Sequence, residues 1–363
     1  MAVRVSKPAF NLRSKLNELD RPVGTFGNQV LATENRYDAS KLIGVGRKNL
    51  LINGDFKISQ RGDYTSATAV ADDKYYLDRW KMRENTTAIT IQHNKNISIT
   101  EAGGDGIKTN SARIDITSSN NGYWAIRQIL EDYAAVSGQT VTFSCWVRGV
   151  GPKVFFRLWS RTNIGHGHAL TEDWQFYTET FNVGGVTESV DGGNGFVPAL
   201  TNYAGGNVYN HTSDWCEVAL FQVEIGRSPT PFEHRSIGEE LALCQRYYIQ
   251  YGPNNALARF PMMGECTGAS VAQYPLQFPV PMRGGTGGVS LTTNGSAGDY
   301  QIYSANQSKP CSSITLAVTM KNPDHSCWGV RINMNRSAGD LTVGRAAQAY
   351  AASTSILGFT REL

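Results

Sequence analysis

The residues of this chain that could do chemistry include three adjacent carboxylate pairs, at Asp72-Asp73, Glu131-Asp132 and Glu172-Asp173. Two carboxylates cleave a glycosidic bond only when both face it. Neighbouring residues on a strand point to opposite faces of the sheet. None of the pairs predicts a catalytic site, and no nucleotide-binding or zinc-protease motif is present, so we expect that the chain is not an enzyme and carries no cofactor.

Tryptophan and arginine side chains suggest a different chemistry, the binding of sugars. Sugar-binding clefts stack aromatic rings on pyranose faces and fix the hydroxyls with a few polar groups. Trp159 and Trp146 each stand close to arginines, on the strand face opposite the apolar residues. The candidates for glycan contact are Trp159, Arg157 and Trp146 and, later in the chain, Trp328, Tyr300 and Tyr303. In a β-protein of this size, each of these aromatic residues could instead lie in a core.

Two short motifs have simpler explanations than a functional site. Arg61-Gly62-Asp63 matches an adhesion tripeptide, but it follows an Asn-Gly turn and is ordinary turn chemistry. His166 and His168 flank a glycine without a third ligand in view, which favours a solvated loop over a metal site. The net charge of +3 arises from 34 basic and 31 acidic side chains. Such a mixed surface argues against nucleic-acid binding, and no apolar run is long enough for membrane insertion.

The elements that must position these residues are mostly strands. The segments TVTFSCWVRG, KVFFRLWS and WCEVALFQVEIG alternate between apolar and other residues with period two. In the last of them Cys216, Val218 and Leu220 are expected on one face and Phe221 on the other. Short alternating strands separated by Gly, Asn and Asp turns predict an antiparallel sandwich over residues 48–235. Its length and strand number favour a jelly roll.

Helical patterns flank this predicted sandwich. Residues 1–47 contain a short apolar stripe but too few apolar residues for a core, so we expect them to dock on another protein. The docking candidates are Phe10, Leu12, Leu16 and Leu19. Residues 236–251 begin with a Ser-x-x-Glu capping box and predict a linker helix. Its apolar stripe comprises Ile237, Leu241, Cys244, Tyr248 and Tyr251, which are candidates for a homotrimer interface or for packing on the chain's own sandwich.

A second β-rich region, residues 252–363, follows the predicted helix. Strand candidates such as Tyr274–Phe278, Ile314–Met320 and Trp328–Met334 recur between polar turns. Such loops carry recognition on rigid scaffolds. The region also lies at the opposite end of the chain from the docking segment, so we expect it to be a distal β-domain and a candidate for receptor binding.

Three phrases stand out in the sequence: GRKNLLINGDFKISQRG, YYLDRW at Tyr75–Trp80, and PFEHRSIGEELALCQRYY at Pro231–Tyr248. In this order they resemble the modular tail-fibre and appendage proteins of tailed bacteriophages. The N-terminal MAVRVSKPAFNLRSKLNELDRPVGTFGNQ also looks like a virion-attachment segment. The resemblance covers residues 1 to about 251, while the ending ILGFTREL departs from the acidic final strand of such proteins.

The resemblance implies a virion structural protein, assembled in the host cytoplasm, with a carbohydrate-binding-like jelly roll. Residues 1–47 would bind a tail adaptor, nozzle or capsid protein, and the β-domains would bind a host surface glycan. Two alternatives stay open: a capsid (head) fibre or decoration protein of the same build, and a polysaccharide depolymerase. Jelly rolls of this type often hold a structural calcium, for which Asn53, Asp55 and Glu217 are weak candidates, although the sequence has no dense acidic loop and favours no metal.

Overall fold

The structure, a computed structural model, describes residues 48–85, 88–99, 106–118, 122–158, 164–186, 195–209, 211–252, 259–284, 288–322, 326–351 and 355–362. The chain divides into two units, Met1–Lys48 and Asn49–Leu363. The predicted N-terminal helices and the docking candidates Phe10, Leu12, Leu16 and Leu19 lie outside the described residues. All of the architecture below belongs to the second unit.

The first part of this unit is a sandwich of two antiparallel six-stranded sheets. Its strands are β1 (Thr68–Ala69), β2 (Lys74–Tyr75), β3 (Lys81–Asn85), β4 (Ala88–Ile99), β5 (Ile107–Ser118), β6 (Tyr123–Arg127), β7 (Thr140–Val150), β8 (Lys153–Leu158), β9 (Ile164–Ala169), β10 (Gln175–Asn182), β11 (Pro198–Thr201), β12 (Tyr203–Ala204), β13 (Asn207–Val208) and β14 (Trp215–Ile225), with a 3₁₀ turn at Ala134–Val136. Sheet 1 has the order β1-β4-β5-β14-β7-β10, and sheet 2 has the order β2-β3-β6-β11-β8-β9. β12 and β13 form a separate hairpin. The predicted all-β, jelly-roll class is confirmed.

Alternation along the strands decides which side chains enter the core between the two sheets. In β7, Val141, Phe143 and Cys145 are fully buried, as their spacing predicts. The ring of Phe143 packs edge-on against that of Phe181, with centroids 4.9 Å apart, and Phe156 approaches it from the other sheet at 6.1 Å. Edge-to-face packing of this kind favours a single arrangement of the core.

The predicted alternation fails in the middle of β14. The register with β7 shifts between Ala219 and Gln222, and Leu220 has a φ of 52°. An extra residue at such a bulge inverts the facing of every residue that follows it. Phe221 therefore enters the core, whereas Leu220 packs in a small cluster with Ile99 and Ala219. The expectation that Leu220 shares a face with Cys216 and Val218 is wrong.

The linker helix is shorter in the structure than the sequence predicts, and it does not include the whole apolar stripe. Helix α1 spans Ile237–Gln245, with Ser236 as the N-cap accepting from the backbone N–H of Glu239. Tyr248–Tyr251 is instead a strand, β15, because these residues pair with a later strand of the chain. Pairing with a strand that is distant in the sequence here outweighs the helical spacing of the apolar residues. Within the described residues, no helix is long and apolar enough to cross a membrane.

The distal part of the chain is a second β-sandwich with a core of its own. Its strands are β15, β16 (Arg259–Gly268), β17 (Val271–Met282), β18 (Ser290–Thr293), β19 (Tyr300–Ser304), β20 (Gln307–Pro310), β21 (Ser313–Lys321), β22 (Cys327–Asn335), β23 (Ala346–Ala351) and β24 (Leu357–Thr360), with a 3₁₀ turn at Ala297–Asp299. Sheet 3 has the order β15-β24-β18, and the seven-stranded sheet 4 has the order β20-β19-β23-β16-β17-β22-β21. The core residues of the two sandwiches fall into separate clusters.

Buried charges join the two sandwiches. The guanidinium of Arg79 is 3.6 Å from the ring centroid of Tyr247 and donates to the carboxylate of Glu362. Arg61 donates to the same carboxylate at 2.8 Å and lies 3.8 Å from the ring centroid of Tyr248. Arg61 belongs to the Arg-Gly-Asp turn, and only 12% of its side chain is exposed. The tripeptide is therefore a structural contact between the sandwiches.

Candidate functional site

The outer face of sheet 1 carries an aromatic pair. Trp146 on β7 and Phe176 on β10 stand directly opposite each other in the antiparallel register. Their ring centroids are 5.4 Å apart. Both alternate with core residues, so they point away from the sandwich interior. Phe176 is 44% exposed, which is unusual for a large apolar side chain unless it has a partner or a ligand.

A segment following β14 crosses this face and forms one wall of a cleft. Thr230 donates from its backbone N–H and its hydroxyl to the carboxylate of Glu224, each at 2.7 Å. Gln222 accepts from the N–H of Glu233 at 2.9 Å and donates to the carbonyl of Thr230 at 3.1 Å. These bonds satisfy buried polar groups that the sheet face would otherwise leave unpaired. They also fix Phe232 and His234 above the sheet.

The cleft between this segment and the aromatic pair has a volume of about 400 Å³. This value lies within the range of roughly 300–1,000 Å³ that is usual for small-ligand sites. Apolar side chains form most of its lining and a few polar groups complete it. The lining residues are Ile107, Ser144, Trp146, Phe176, Leu220, Pro229, Thr230, Pro231, Phe232 and His234.

A platform of arginines and tryptophans continues from the cleft along sheet 1. The guanidinium carbon of Arg148 lies 4.9 Å from the ring centroid of Trp174 and 5.8 Å from that of Trp215. Arg113 covers the other part of Trp215 at 4.1 Å. The planar guanidinium groups stack on the rings and hold them in place. The result is a surface of tryptophan rings and guanidinium groups, adjacent to an apolar cleft.

Carboxylates balance the charge of the platform. Arg148 donates to Glu217 at 2.8 Å, and the fully buried Glu217 also accepts from Asn94 at 2.8 Å and from Ser111. Arg113 binds Asp115 in a bidentate pair. Because each arginine is paired, this surface has no excess charge of the kind that would attract an ionic ligand. Its chemistry suits a neutral polyhydroxylated molecule.

The calcium candidates occupy structural positions in the fold. The side-chain amide of Asn53 donates to the carbonyls of Ile58 and Asp78 at 2.8 and 2.9 Å and so closes the Asn-Gly turn. Asp55 forms an ion pair with Lys57. Glu217 belongs to the platform described above. Across the part of the chain that the structure describes, no group of three or more His, Cys, Asp or Glu side chains could hold a metal ion.

The histidines of the sandwich have two different roles. His234 lines the cleft, where burial and the nearby Lys57 hold its pKa below the usual value. Its imidazole is therefore neutral at pH 7 and able both to donate and to accept a hydrogen bond. His166, on β9, instead pairs with Glu179 of β10 at 3.1 Å, and His168 stacks on Tyr177 with centroids 4.5 Å apart.

The structure separates the residues that the sequence singled out for glycan contact. Trp146 lines the cleft, whereas Arg157 lies on the outer face of sheet 2. Trp159 lies outside the described residues. In the distal sandwich Tyr300 is fully buried, and its hydroxyl donates to the carbonyl of Ile356. Tyr300 is therefore a core residue, and the expectation that it contacts a ligand is wrong.

The two other distal candidates are exposed but far apart. Tyr303 and Trp328 are each 38% exposed. They belong to β19 and β22, which four strand spacings separate in sheet 4. At about 4.8 Å per spacing, the two strands are roughly 19 Å apart. No single small ligand would contact both residues.

The residues predicted to form a trimer interface do not lie on one surface. Cys244 and Tyr248 are buried within the chain itself, and Tyr251 is half-buried in sheet 3. Ile237, at the start of α1, is 67% exposed. The continuous helical stripe predicted from Ile237 to Tyr251 is wrong, because the helix ends at Gln245 and the last two residues belong to a strand.

Sequence reasoning missed most of the cleft. Phe176 gave a usable signal, since it is an aromatic residue on a strand face whose other members are Thr178, Thr180 and Asn182. Pro229 and Pro231 also mark a segment that cannot continue a sheet ladder. Phe232 and His234 gave no signal of their own, because their position depends on hydrogen bonds to buried groups of β14.

The sequence matches no protein-family model and no curated protein. Several solved structures show a partial likeness. The enzymatically active domain of tailspike protein 4 from bacteriophage CBA120 is 9% identical, with a TM-score of 0.30 over 49% of this chain and 21% of that one. The chain thus spans about a fifth of the length of the tailspike domain.

Two sugar-binding proteins show a likeness of the same size. A putative sugar binding protein from Bacteroides thetaiotaomicron is 11% identical, with a TM-score of 0.30 over 49% of this chain and all of that one. A family 11 carbohydrate-binding module from Clostridium thermocellum, in complex with a mixed-linked tetrasaccharide, is 14% identical with a TM-score of 0.26, over 46% and 98% of the two chains. Likenesses this weak carry no argument about the function of this chain.

Proposed function

We propose that this chain is a glycan-binding protein whose site is the cleft on the outer face of sheet 1. The observation that carries the proposal is the pair of the half-buried Trp146 and the exposed Phe176, whose ring centroids are 5.4 Å apart beside a cleft of about 400 Å³. Aromatic faces stack on the C–H faces of pyranose rings, and the neighbouring Ser144, Thr230 and His234 supply hydrogen-bonding groups for hydroxyls. The charge-balanced platform extends the surface for further sugar units.

The hydrogen bonds of the carboxylates nearest to the cleft favour binding over hydrolysis. Glu217 is held by Arg148, Ser111 and Asn94, and Glu224 by Thr230 and Gln222. A general acid or a nucleophile has to face the glycosidic bond with a free oxygen. A shallow cleft buries little of a sugar, so the affinity is expected to be about millimolar per site, or roughly 4 kcal/mol.

The biological setting that we propose is a bacteriophage appendage, and it is supported by the sequence phrases described above. Residues 1–47 would dock on the virion and the β-sandwiches would face the host surface. A protein that begins at Lys48 should still fold but should fail to join particles. Normal incorporation of that shortened protein would overturn the docking role. Imaging of the particle would then distinguish attachment to the tail from attachment to the head.

A homotrimer remains part of this proposal, although it cannot use the predicted helical stripe. Three weak sites on one rigid appendage would gain roughly 10²–10⁴ in avidity without any new contact. Sedimentation equilibrium of the full chain measures the stoichiometry directly. A monomer at all concentrations would remove the avidity argument and leave the single-site affinity unchanged.

Substitution of single aromatic residues tests the glycan site. The full chain would be screened against a panel of neutral oligosaccharides, and any ligand would then be titrated by calorimetry into W146A, F176A and W328A. The first two variants should weaken binding at least 10-fold, because each loses a stacking face. W328A removes a more exposed tryptophan from the distal sandwich and should have no effect. Loss of binding in W328A alone would move the site to the distal sandwich.

A further inference from the structure

The outer face of sheet 4 is a broad surface with exposed apolar side chains. Seven strands at about 4.8 Å per spacing make the sheet roughly 29 Å wide, and β16, with ten residues, runs roughly 33 Å along it. Of the seven large apolar side chains that are exposed in the described residues, three belong to these strands: Met263, Tyr303 and Trp328. Exposed apolar side chains brought together on one face mark a surface that contacts another molecule.

The strand register arranges the side chains of this face in rows that cross β19, β23 and β16. The three rows are, in order, Gln301–Tyr350–Arg259, Tyr303–Gln348–Met263, and Ala346–Glu265. Successive rows are two residues apart on β23, which is roughly 7 Å. The most exposed apolar residue of the face, Met263, belongs to the middle row.

On β16 this middle row lies between two opposite charges at equal spacing. The register with β23 shifts between Arg259 and Met263, so that two extra residues on β16 are absorbed and Arg259 lies only one row from Met263. Glu265 lies one row away on the other side. Because Met262 packs in the core, its neighbour Met263 points outward. Arg259 and Glu265 are exposed as well.

A surface with this arrangement is complementary to a copy of itself. When a two-fold axis runs along the middle row between two facing sheets, each strand lies over its own copy in the opposite direction. The Met263 side chains of the two copies then meet, and Arg259 of each copy lies opposite Glu265 of the other. Sheets that pack face to face keep their strands within about 30° of each other, which preserves these pairs. Two-fold contacts require this kind of self-complementarity.

We propose that two copies of this chain associate through the outer faces of their sheets 4, with Met263 at the centre and an ion pair of Arg259 with Glu265 on each side. The face is large enough, because a stable interface buries roughly 800 Å² on each partner. Tyr303 and Tyr350, whose ring centroids are 6.1 Å apart, supply the aromatic area that interfaces favour. The inference goes beyond the proposed function, since it does not depend on the cleft of sheet 1.

This contact predicts an even number of copies. By itself it gives a dimer. Together with the homotrimer proposed above it gives a hexamer, because a two-fold and a three-fold axis close at six copies. Sedimentation equilibrium of the full chain should therefore show a dimer that dissociates to monomers, or a hexamer that dissociates to trimers.

Charge reversal tests the pairing of Arg259 with Glu265. R259E and E265R should each raise the dissociation constant of the contact at least 10-fold, because each brings like charges together on both sides of the axis. The double variant R259E/E265R exchanges the two charges and should recover an affinity close to that of wild type. Recovery of this kind is specific to a direct pairing between copies, since two unrelated surface changes would not compensate each other.

Substitution of Met263 tests the apolar centre. M263K brings two like charges together on the two-fold axis and should raise the dissociation constant at least 10-fold. I237K makes a similar change on α1, at a side chain that is 67% exposed against 60% for Met263, and should associate as wild type. Urea unfolding at a concentration at which this contact is dissociated should show equal stability for all of these variants, because the substituted side chains are exposed in the single chain.

Three results would overturn the inference. They are a chain that is only monomeric or only trimeric at every concentration, unchanged association in M263K, or no recovery in R259E/E265R of the association lost in the single variants. Loss of association in I237K but not in M263K would instead assign the self-contact to α1. The titrations with neutral oligosaccharides are independent of these outcomes, since M263K should keep the wild-type affinity per cleft.

Discussion

Arg61 and Glu362, 301 residues apart in the sequence, form an ion pair of 2.8 Å between the two sandwiches. Arg79 binds the other oxygen of the same carboxylate and is itself 1% exposed. The cation–aromatic contacts of Arg61 with Tyr248 and of Arg79 with Tyr247 surround the cluster. The start of the jelly roll and the last described residue of the distal sandwich are thus held together by one buried charge.

Replacing Glu362 by glutamine should destabilise the protein. The change leaves the shielded guanidinium of Arg79 without this counter-charge and leaves Arg61 with its second partner, Asp78, at 3.2 Å, a cost of about 3 kcal/mol in the free energy of unfolding. Urea unfolding of the full chain measures it. E265Q makes the same change at an exposed position of β16 in sheet 4 and should stay within about 0.5 kcal/mol of wild type. Equal stability of the two variants would show that the cluster does not hold the sandwiches together.

The same cluster should impose a pH dependence through Asp78. Burial raises the pKa of this carboxyl to about 6, against the pull of Arg61 and Gln60. Between its ordinary value of 3.8 and 6 the folded protein keeps a proton that the unfolded chain has lost. The stability contributed by Asp78 is therefore highest below pH 4, falls as the pH rises to 6, and is constant above that.

The variant D78N lacks this titration. Its free energy of unfolding, relative to that of wild type, should rise by about 2 kcal/mol from pH 4.5 to pH 6.5. Urea unfolding curves of both proteins at pH 4.5, 5.5 and 6.5 give the difference at each pH. A difference that is flat, or that falls with pH, would show that Asp78 ionises in the folded protein at an ordinary pH.

The Asn-Gly turn that opens the jelly roll should tolerate no side chain at its glycine. A Cβ on Gly54 would overlap the carbonyl oxygen of Phe221, while the backbone N–H of Phe221 donates to the carbonyl of Gly54 at 2.8 Å. G54A should therefore cost at least about 2 kcal/mol in the free energy of unfolding.

A second glycine provides the matched control. Gly238 lies in the first turn of α1, where an added Cβ meets no atom within 4 Å. G238A should stabilise the protein by about 0.5–1 kcal/mol, because alanine loses less backbone entropy in a helix. If G54A leaves the free energy of unfolding unchanged, the turn can move away from β14, and the contact with Phe221 does not fix the start of the jelly roll.

Much of the fold follows from local patterns in the sequence. The period-two alternation of β7 correctly assigns Val141, Phe143, Cys145 and Val147 to the core, although Thr142 and Ser144 on the other face are buried as well. The pattern fails where a single extra residue changes the facing, as at Leu220 in β14. It also fails where a distant strand competes for a segment. Tyr248–Tyr251 continues a helical stripe in the sequence, but in the structure it forms a strand that pairs with β24.

The candidate site was less predictable than the fold, because it depends even more on contacts between residues that are far apart in the sequence. Trp146 is visible from the sequence because its strand alternates cleanly. The wall that makes it part of a cleft comes from residues 229–234, whose position depends on the buried side chains of Gln222 and Glu224. Glu362 likewise gives no local signal for its contact with Arg61. Contacts between residues so far apart have no periodicity that a sequence reader can detect.

The measurement that tests the central claim most directly is fluorine NMR of the full chain labelled with 5-fluorotryptophan. The seven tryptophans give one resonance each, assigned by single Trp-to-Phe variants. A neutral oligosaccharide that binds should shift the resonance of Trp146 and, if it reaches the platform of sheet 1, that of Trp174, while Trp328 and the buried Trp124 stay unchanged. A shift of Trp328 with no change at Trp146 would contradict the account and place glycan binding in the distal sandwich.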